Sequence, residues 1–349
     1  MKGQKKRGAL IGCGFFAPNH MHAWAQLADM EIVAVCDIDQ NRAEQLAQDF
    51  GVPMVHTDAA RLMREVPLDF VDIATTAASH RPLVELAAAQ RIAAICQKPL
   101  AETMAAATSM VTACGTAGVP LIVHENFRWQ RPFVAMHEQI ALGRIGAPHF
   151  ARFSFRHGYD NYRNQPYLAQ IKRFTILDLG LHLFDLARLF MGEVAHLSCA
   201  AQHLNAAVRG EDAFTALLQH TNGVTSICDC SFQSVRRPEP FPQTFAEIEG
   251  PDGTLTLSTD YALLLHDATG LHEIPCAPAI PDWGVVPWHG VQDSVIRFQS
   301  HVADVLHGRA SPQPSGADNL HTLALSLAAY DAVAQKRTID MSTWKECAE

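Results

Sequence analysis

Short apolar runs alternate with amphipathic segments over the first third of the chain. The runs have the length of buried strands and lie at Ala9–Ile11, Glu31–Cys36, Phe70–Ala74, Ile92–Cys96 and Pro120–Val123, with a shorter one at Met54–His56. Helical spacing begins at Ala17 and recurs over Gln40–Phe50, Asp58–Glu65, His80–Gln90 and Glu102–Ala117. Strands that alternate with helices are typical of an α/β domain with a doubly wound parallel sheet.

The rhythm changes near Phe150, where predicted strands follow one another with few helices between them. They lie at His149–His157, Glu193–Ala201, Asp212–His220, Gly223–Phe232, Gln243–Glu249, Gly253–Ser258 and Ala262–His266. This meander predicts an α+β domain with a large open-faced, mostly antiparallel sheet. Helices at His289–Leu306 and Ala317–Gln335 are expected to pack back on the body. We therefore predict one domain over residues 1–124 and a second over residues 125–349.

A glycine-rich turn joins the first strand to the first helix. Gly12, Gly14 and Ala17 have the order G-x-G-x-x-A, which is the fingerprint of a Rossmann dinucleotide site. The glycines permit a tight turn and the approach of a pyrophosphate, and the N–H groups at the helix start face it. Phe15 and Phe16 lie in this turn and are expected to contact the cofactor. The alternative is a strand-to-helix turn that binds no ligand.

An acidic residue ends the second strand at Asp37, where such a site places a carboxylate for the ribose hydroxyls. The segment Asp37–Asp39 contains no cation, and its negative charge would repel a 2′-phosphate. We therefore expect the cofactor to be NAD and not NADP.

Polar residues also follow the strand Phe70–Ala74. Thr75, Thr76 and His80 lie at the carboxyl edge of the predicted sheet, where ligands bind, and we expect them to contact the cofactor. A helix cap by Ser79 is an alternative interpretation of this segment.

Charge and composition exclude several classes of protein. The 27 basic and 36 acidic residues give a formal net charge of −9, which argues against a nucleic-acid surface. The basic run before the first strand is interpreted as a solvated tail, because the short, glycine-broken apolar stretch after it does not resemble a signal peptide. No run reaches membrane-spanning length, and nine cysteines without framework spacing predict buried thiols in a cytoplasmic protein. No metal site is predicted, since Cys228 and Cys230 have no second ligand pair.

The segment Gln97-Lys98-Pro99 carries a family resemblance. With the glycine fingerprint, Asn126–Arg128 and Asp178-x-x-x-His182, it resembles the glucose-fructose oxidoreductases, inositol dehydrogenases and related NAD(P)-dependent sugar dehydrogenases. Ile11–Ala17 and the segment around Lys98 are most similar to one group of bacterial aldose dehydrogenases in that family. Gln97 replaces the family's glutamate, and an amide stabilises a neighbouring ammonium less than a carboxylate does.

The resemblance implies that Lys98, Asp178 and His182 are catalytic. Lys98, which would also lie at the nicotinamide, would polarise the reacting oxygen, His182 would be the base, and Asp178 would orient it. The Lys98–Pro99 bond is expected to be cis. Asp178, His182 and Asp185 would share one face of a buried helix over Ile176–Phe190. A structural Asp–His pair is the alternative, and Asp185 is expected to be structural, paired with Arg188 or the sheet.

The substrate pocket is expected to include Arg128, Trp129, Arg156 and Tyr159, besides Asp178 and His182, since aromatic and multidentate polar groups suit a polyol. The same residues also occur in packing and interfaces. The expected reaction is NAD-dependent oxidation of a free aldose, at C1 to a lactone, by a homodimer or homotetramer without a nucleic-acid or membrane partner. The alternatives are an inositol-type dehydrogenase, an enzyme that recycles a tightly held nucleotide, and a non-catalytic NAD-binding regulator.

Overall fold

The computed structural model describes residues 5–163 and 165–346, which form two compact units. The first unit contains the described residues up to Asn126 together with Ser294–His321. The second contains Phe127–Asp293 and the described residues from Thr322 onward. This division lies next to the boundary predicted at residues 124 and 125, but it assigns Ser294–His321 to the first unit.

The first unit contains a parallel sheet covered by helices. Its strands are β1 (Lys6–Ile11), β2 (Met30–Cys36), β3 (Met54–His56), β4 (Phe70–Ile73), β5 (Ala93–Gln97) and β6 (Leu121–His124). The helices between them are α1 (Ala17–Ala25), α2 (Gln40–Phe50), α3 (Ala59–Glu65), α4 (Ala77–Ala89) and α5 (Met104–Ala117). The strand order β3-β2-β1-β4-β5-β6, with every pair parallel, confirms the predicted doubly wound sheet. The order reverses between β1 and β4, which is where such sheets bind ligands.

Buried polar contacts anchor α1 on this sheet. The Asp72 carboxylate, on the central strand β4, accepts a hydrogen bond from Trp24 Nε1 at 2.7 Å, and His20 Nδ1 lies 2.8 Å from the same oxygen. Because a buried carboxylate is costly without partners, these contacts fix the helix whose first turn borders the glycine loop.

The second unit contains a nine-stranded sheet with helices on one face. Its strands are β7 (Phe150–Arg156), β8 (Val194–Gln202), β9 (Ala213–His220), β10 (Thr225–Ser231), β11 (Phe245–Gly250), β12 (Gly253–Leu257), β13 (Leu263–Asp267), β14 (Gly270–Ile274) and β15 (Ile339–Asp340). The order is β14-β13-β12-β11-β7-β10-β9-β8-β15. Only the β7–β10 pair is parallel among these described strands, so the predicted mostly antiparallel sheet is confirmed.

Three elements of the second unit were not predicted. They are the helix α6 (Arg131–Ala141) and the strands β14 and β15. The first turn of α6 contains Pro132, whose fixed φ suits that position. The remaining helices are α7 (Leu181–Met191), which lies within the second unit, and α8 (His289–Leu306) and α9 (Gly316–Gln335), each of which has residues in both units. Within the described residues, no helix has both the length and the apolar character needed to cross a membrane.

Candidate active site

The glycine loop after β1 is shaped by the absence of side chains. Gly12 has a φ of +96°, and a Cβ there would lie 2.8 Å from the carbonyl of Ala74. Its N–H donates to the Cys36 carbonyl at 2.7 Å. At Gly14, by contrast, no described atom lies within 4 Å of the Cβ position, so the loop surface there is open. The residues therefore fit a dinucleotide whose pyrophosphate approaches the backbone at Gly14.

Aromatic residues continue this loop into α1. The side chain of Phe15 is exposed, whereas the ring of Phe16 packs edge-on against the buried His20 ring, with 5.4 Å between the ring centres. Among the described residues no side chain caps α1 at Phe16. Backbone hydrogen bonds close this turn, from the Ala17 N–H to the Gly14 carbonyl at 3.2 Å and from the Asn19 N–H to the Phe16 carbonyl at 3.1 Å.

Asp37 lies beside the glycine loop at the end of β2. Its Oδ2 accepts a hydrogen bond from the Cys13 N–H at 2.7 Å, and its Oδ1 accepts one from the Asp39 N–H at 2.9 Å. The carboxylate is half-buried, so the backbone holds it where a ribose would arrive. Arg42, in the first turn of α2, directs its Nε towards Asp39 at 3.5 Å.

The loop after β4 and the loop after β5 meet around a buried histidine. His80 has no exposed surface, and its Nε2 lies 3.1 Å from the Thr75 carbonyl while its Nδ1 lies 3.0 Å from the Pro99 carbonyl. Burial lowers the pKa of His80. The buried ring lies between the two loops and has no surface for its predicted contact with the cofactor, whereas Thr75 is half-buried and Thr76 is exposed. Ser79, which lies inside α4, donates to Thr75 Oγ1 at 2.8 Å.

Lys98 follows β5 at the same sheet edge as the glycine loop, because β1, β4 and β5 are neighbours. The Lys98–Pro99 peptide bond is cis, as predicted. Gln97 Oε1 accepts a hydrogen bond from the Lys98 N–H at 2.8 Å, so the amide that replaces the family's glutamate contacts the Lys98 backbone. The lysine therefore lies on a turn held from both sides, by Gln97 and by His80 through Pro99.

In the second unit, the segment with Asp178 and His182 differs from the predicted single helix. Residues Ile176–Gly180 form a π-helical turn, and α7 begins at Leu181. A π turn is wider than an α turn, so the spacing of 100° per residue does not apply between Ile176 and Gly180. Asp178 is half-exposed, whereas His182 and Asp185 are buried. The predicted α-helix over Ile176–Phe190 therefore begins later, at Leu181, and a shared face of Asp178, His182 and Asp185 stays a prediction.

His182 is stacked against an aromatic ring. Its imidazole is 2% exposed and lies parallel to the Phe127 ring, with 3.8 Å between the ring centres and 4° between the planes. Phe127 belongs to a short 3₁₀ turn, Phe127–Trp129. Asn126–Arg128 was predicted as part of a family motif, but the contact between Phe127 and His182 was not predicted, although an aromatic residue inside a motif is a signal for such a role.

The same turn is bound to α7 by an ion pair. Arg128 donates from Nε and Nη2 to the two oxygens of the buried Asp185 carboxylate, at 2.8 and 2.5 Å. Asp185 is therefore paired with Arg128, and the Thr322 hydroxyl links it to Arg188, because it donates to Asp185 at 3.2 Å and accepts from Arg188 at 2.8 Å. Arg188 also donates to Glu193 at 2.5 and 3.1 Å.

The remaining substrate candidates lie in different surroundings. Arg156 donates to Asp229 at 2.9 Å on the face of β7 opposite Phe155, whose ring lies in the core with α7. Because side chains alternate along a strand, Arg156 cannot share a pocket with Asp178 and His182 within this unit, which corrects its predicted role. Tyr159 stacks on Phe241, with 4.5 Å between the ring centres.

Two further aromatic residues of the second unit are at least partly exposed. Trp129 is half-buried in the turn beside Arg128. Tyr167 is 59% exposed, and its hydroxyl donates to Gln165 Oε1 at 2.9 Å.

Known protein families match the sequence of each of the two units. A family model described as "Oxidoreductase family, NAD-binding Rossmann fold" matches residues 6–125, and the "GFO/IDH/MocA C-terminal domain" matches residues 133–256. The D-apiose dehydrogenase of Paraburkholderia graminis is 49% identical over 97% of this chain and 90% of its own length. That of Rhizobium rhizogenes is 46% identical over 96% and 97%. These enzymes are the group of bacterial aldose dehydrogenases indicated by the sequence motifs.

A solved structure and a more distant relative are also similar to this chain over nearly its whole length. An oxidoreductase from Agrobacterium radiobacter, in complex with NAD⁺, L-tartaric acid and magnesium, has a TM-score of 0.95 and 46% identity over 97% of this chain and 99% of its own. An inositol 2-dehydrogenase of Rhizobium meliloti is 29% identical over 96% of this chain and 99% of its length.

Proposed function

This chain belongs to the GFO/IDH/MocA family of NAD-binding oxidoreductases, and we propose that it oxidises the free aldose D-apiose at C1 to a lactone. The observation that carries the proposal is the 49% identity, over nearly the whole chain, to a D-apiose dehydrogenase. Identity at that level covers both the cofactor-binding unit and the unit that carries Asp178 and His182. NAD is the cofactor, held by the glycine loop and Asp37.

The reaction removes a hydride from carbon and a proton from the hydroxyl oxygen. Bound NAD supplies the acceptor for the hydride. The Lys98 ammonium stabilises the negative charge that develops on the oxygen. His182 accepts the proton, and the Phe127 ring keeps the imidazole plane fixed for that transfer. Asp178, which is half-exposed before α7, orients the substrate hydroxyl or the base.

Binding of the cofactor uses the edge of the parallel sheet. The glycine loop would hold the pyrophosphate, Asp37 the ribose hydroxyls, and Thr75 and Thr76 the nicotinamide end. His80 would keep the Thr75 loop and the Lys98 turn in register through its carbonyl contacts. For the sugar, Trp129 and Tyr167 offer aromatic faces in the second unit.

An inositol-type dehydrogenase is the second candidate, favoured by the inositol 2-dehydrogenase that is 29% identical over most of the chain. Its substrate would be a ring secondary alcohol and its product a ketone. A non-catalytic regulator is disfavoured, because such a protein has no need for Lys98, Asp178 and His182 together.

The test is the rate of NADH formation, followed by absorbance, with NAD and a panel of free aldoses. The panel includes D-apiose, and the controls are myo-inositol with NAD and D-apiose with NADP. We expect D-apiose to give the highest kcat/KM and a lactone as the first product. Turnover of myo-inositol alone would favour the second candidate. Absence of turnover despite measured NAD binding would contradict the proposal.

A further inference from the structure

A carboxylate distant in sequence holds the segment that leads into α7. Glu211 precedes β9, and its Oε1 accepts hydrogen bonds from the N–H groups of Phe174 and Ile176 at 3.1 and 2.9 Å. Its backbone carbonyl accepts from Thr175, through the N–H at 3.3 Å and the hydroxyl at 3.1 Å. One residue therefore contacts three consecutive residues, the two before the π turn and the first residue of the turn itself.

The contact requires close approach of two loops, which Gly210 permits. A Cβ at Gly210 would lie 2.7 Å from the Ile171 carbonyl oxygen and 2.8 Å from the Phe174 Cβ. Any other residue would push the loops apart and lengthen the hydrogen bonds of Glu211. The contacts of Glu211 thus depend on two adjacent residues, Gly210 and Glu211 itself.

The physical effect of Glu211 follows from its place at a helix start. The first N–H groups of a helix have no acceptor within the helix, and a negative charge near them is favourable. Hydrogen bonds to a carboxylate are about twice as strong as neutral ones. Phe174 connects this anchor to the site, because its carbonyl accepts the Asp178 N–H at 2.8 Å while its own N–H donates to Glu211.

Tyr330 of α9 holds the carboxylate from the other side. Its hydroxyl donates to Glu211 Oε1 at 2.8 Å, and the Arg173 guanidinium lies over its ring at 5.5 Å. Burial, with the Glu211 charge, raises the pKa of Tyr330 well above its usual value, so the hydroxyl remains a donor. The carboxylate is therefore held in one orientation.

We propose that Glu211 and Tyr330 are positioning residues for the reaction, because they fix the start of the π turn and through it the direction of Asp178 and the seating of His182. This inference rests on the proposed function of those two residues. Glu211 and Tyr330 touch neither substrate nor cofactor in this account. Their loss would disturb the geometry of proton transfer and leave the NAD-binding unit intact.

The experiment compares Glu211→Ala, Glu211→Gln and Tyr330→Phe with wild type in kcat, KM, the pH profile of kcat and NAD affinity. The sugar is the best substrate of the panel above. We expect Glu211→Ala to lower kcat by at least about tenfold, because the variant loses the hydrogen bonds that the charged carboxylate accepts. It should also flatten the acidic limb of the pH profile without changing NAD affinity. Glu211→Gln keeps an acceptor oxygen and should restore most of kcat, and Tyr330→Phe should fall between the two.

A matched control is the neighbouring carboxylate. Asp212 accepts hydrogen bonds from the N–H groups of Leu204 and Asn205 at 2.7 and 2.8 Å, so it anchors a different loop in the same manner. Asp212→Asn should lower thermal stability while kcat and the pH profile stay as in wild type. A loss of kcat equal to that of Glu211→Ala would contradict a specific role for Glu211.

The outcomes separate this inference from the proposed function. If His182→Asn abolishes turnover but folded Glu211→Ala keeps the wild-type kcat and pH profile, the inference is wrong and the proposed function stands. If His182→Asn retains turnover, the assignment of His182 as the base is wrong and the inference falls with it, while the substrate panel still decides the proposed oxidation of D-apiose. Should Glu211→Ala not fold, unchanged kcat in both Glu211→Gln and Tyr330→Phe would overturn the inference.

Discussion

The loop after β1 and the segment before α7 both lead into helices that serve the proposed reaction, but different contacts hold them. The loop is shaped by Gly12, whose Cβ would collide with Ala74, and by backbone acceptors at the ends of neighbouring strands. The segment before α7 depends on charged side chains from far along the chain, Glu211 and Arg128. Substitutions in the glycine loop, which the backbone shapes, should therefore change the affinity for the ligand. Substitutions of the buried charged residues around α7 should change both the free energy of unfolding and kcat.

The largest expected effect is a loss in the free energy of unfolding when a buried ion pair of the second unit is broken, compared with an exposed pair of the first. Asp185→Ala would leave the largely buried Arg128 guanidinium without its bidentate partner, at a cost of about 3–5 kcal/mol in the free energy of unfolding. Glu65→Ala removes the exposed partner of Arg61 on α3 and should cost less than about 1 kcal/mol. Denaturant titration of both variants measures the difference, and equal losses would contradict it.

A loss of turnover without a loss of binding is expected at Lys98. Lys98→Ala removes the charge that stabilises the developing oxyanion, which should lower kcat by at least about 100-fold. NAD affinity should be nearly unchanged, since the glycine loop and Asp37 remain. Lys6→Ala, at a surface lysine paired with Asp69, is the matched control and should keep wild-type kcat. A loss of kcat in Lys98→Ala far smaller than this would contradict a catalytic role for Lys98.

Acid sensitivity is expected from a buried histidine at the end of β7. Burial lowers the pKa of His157 from 6.5 to about 3. Between these values the unfolded chain binds more protons than the folded one, so the free energy of unfolding falls as the pH falls through this window. The contribution of His157 at pH 5 is a loss of about 2 kcal/mol relative to pH 7. Denaturation of wild type and His157→Asn at both pH values should show a smaller loss in the variant. Equal losses would contradict the assignment.

The smallest effect is expected at Asp37, because the backbone of the glycine loop also contributes to NAD binding. Asp37→Ala should weaken NAD binding by about tenfold, as for the loss of a charged hydrogen-bonding group, and should reduce the preference over NADP. Isothermal titration with both nucleotides measures it. Unchanged affinity and preference would show that the carboxylate acts on the loop through Cys13 and Asp39 alone.

The elements of the first unit could be predicted from local signals. The bounds of α2 and β3 agree with the sequence pattern, and Asp39 caps α2 through hydrogen bonds to the N–H groups of Asn41 and Arg42. The glycine turn followed from a short motif, and the cis Lys98–Pro99 bond followed from the family resemblance. These features depend on residues close in sequence, which a periodic pattern records.

The π turn before α7 and the partner of Asp185 could not be predicted in this way. Ile176 and Glu211 are separated by 35 positions, and Arg128 and Asp185 by 57. A pattern with helical spacing describes the apolar face of Ile176–Phe190 but contains no information about a carboxylate that arrives from another loop. The side of β7 that carries Arg156 was predictable in principle, since its neighbour Phe155 belongs to the apolar face.

The pH dependence of kcat/KM for D-apiose oxidation, measured in wild type and in His182→Asn, tests the proposed reaction most directly. In wild type, kcat/KM should rise with pH as the base loses its proton. In His182→Asn, turnover should fall steeply and the rising limb should disappear while NAD affinity is retained. A variant that keeps the same rising limb would contradict His182 as the base and would assign the proton transfer to Lys98.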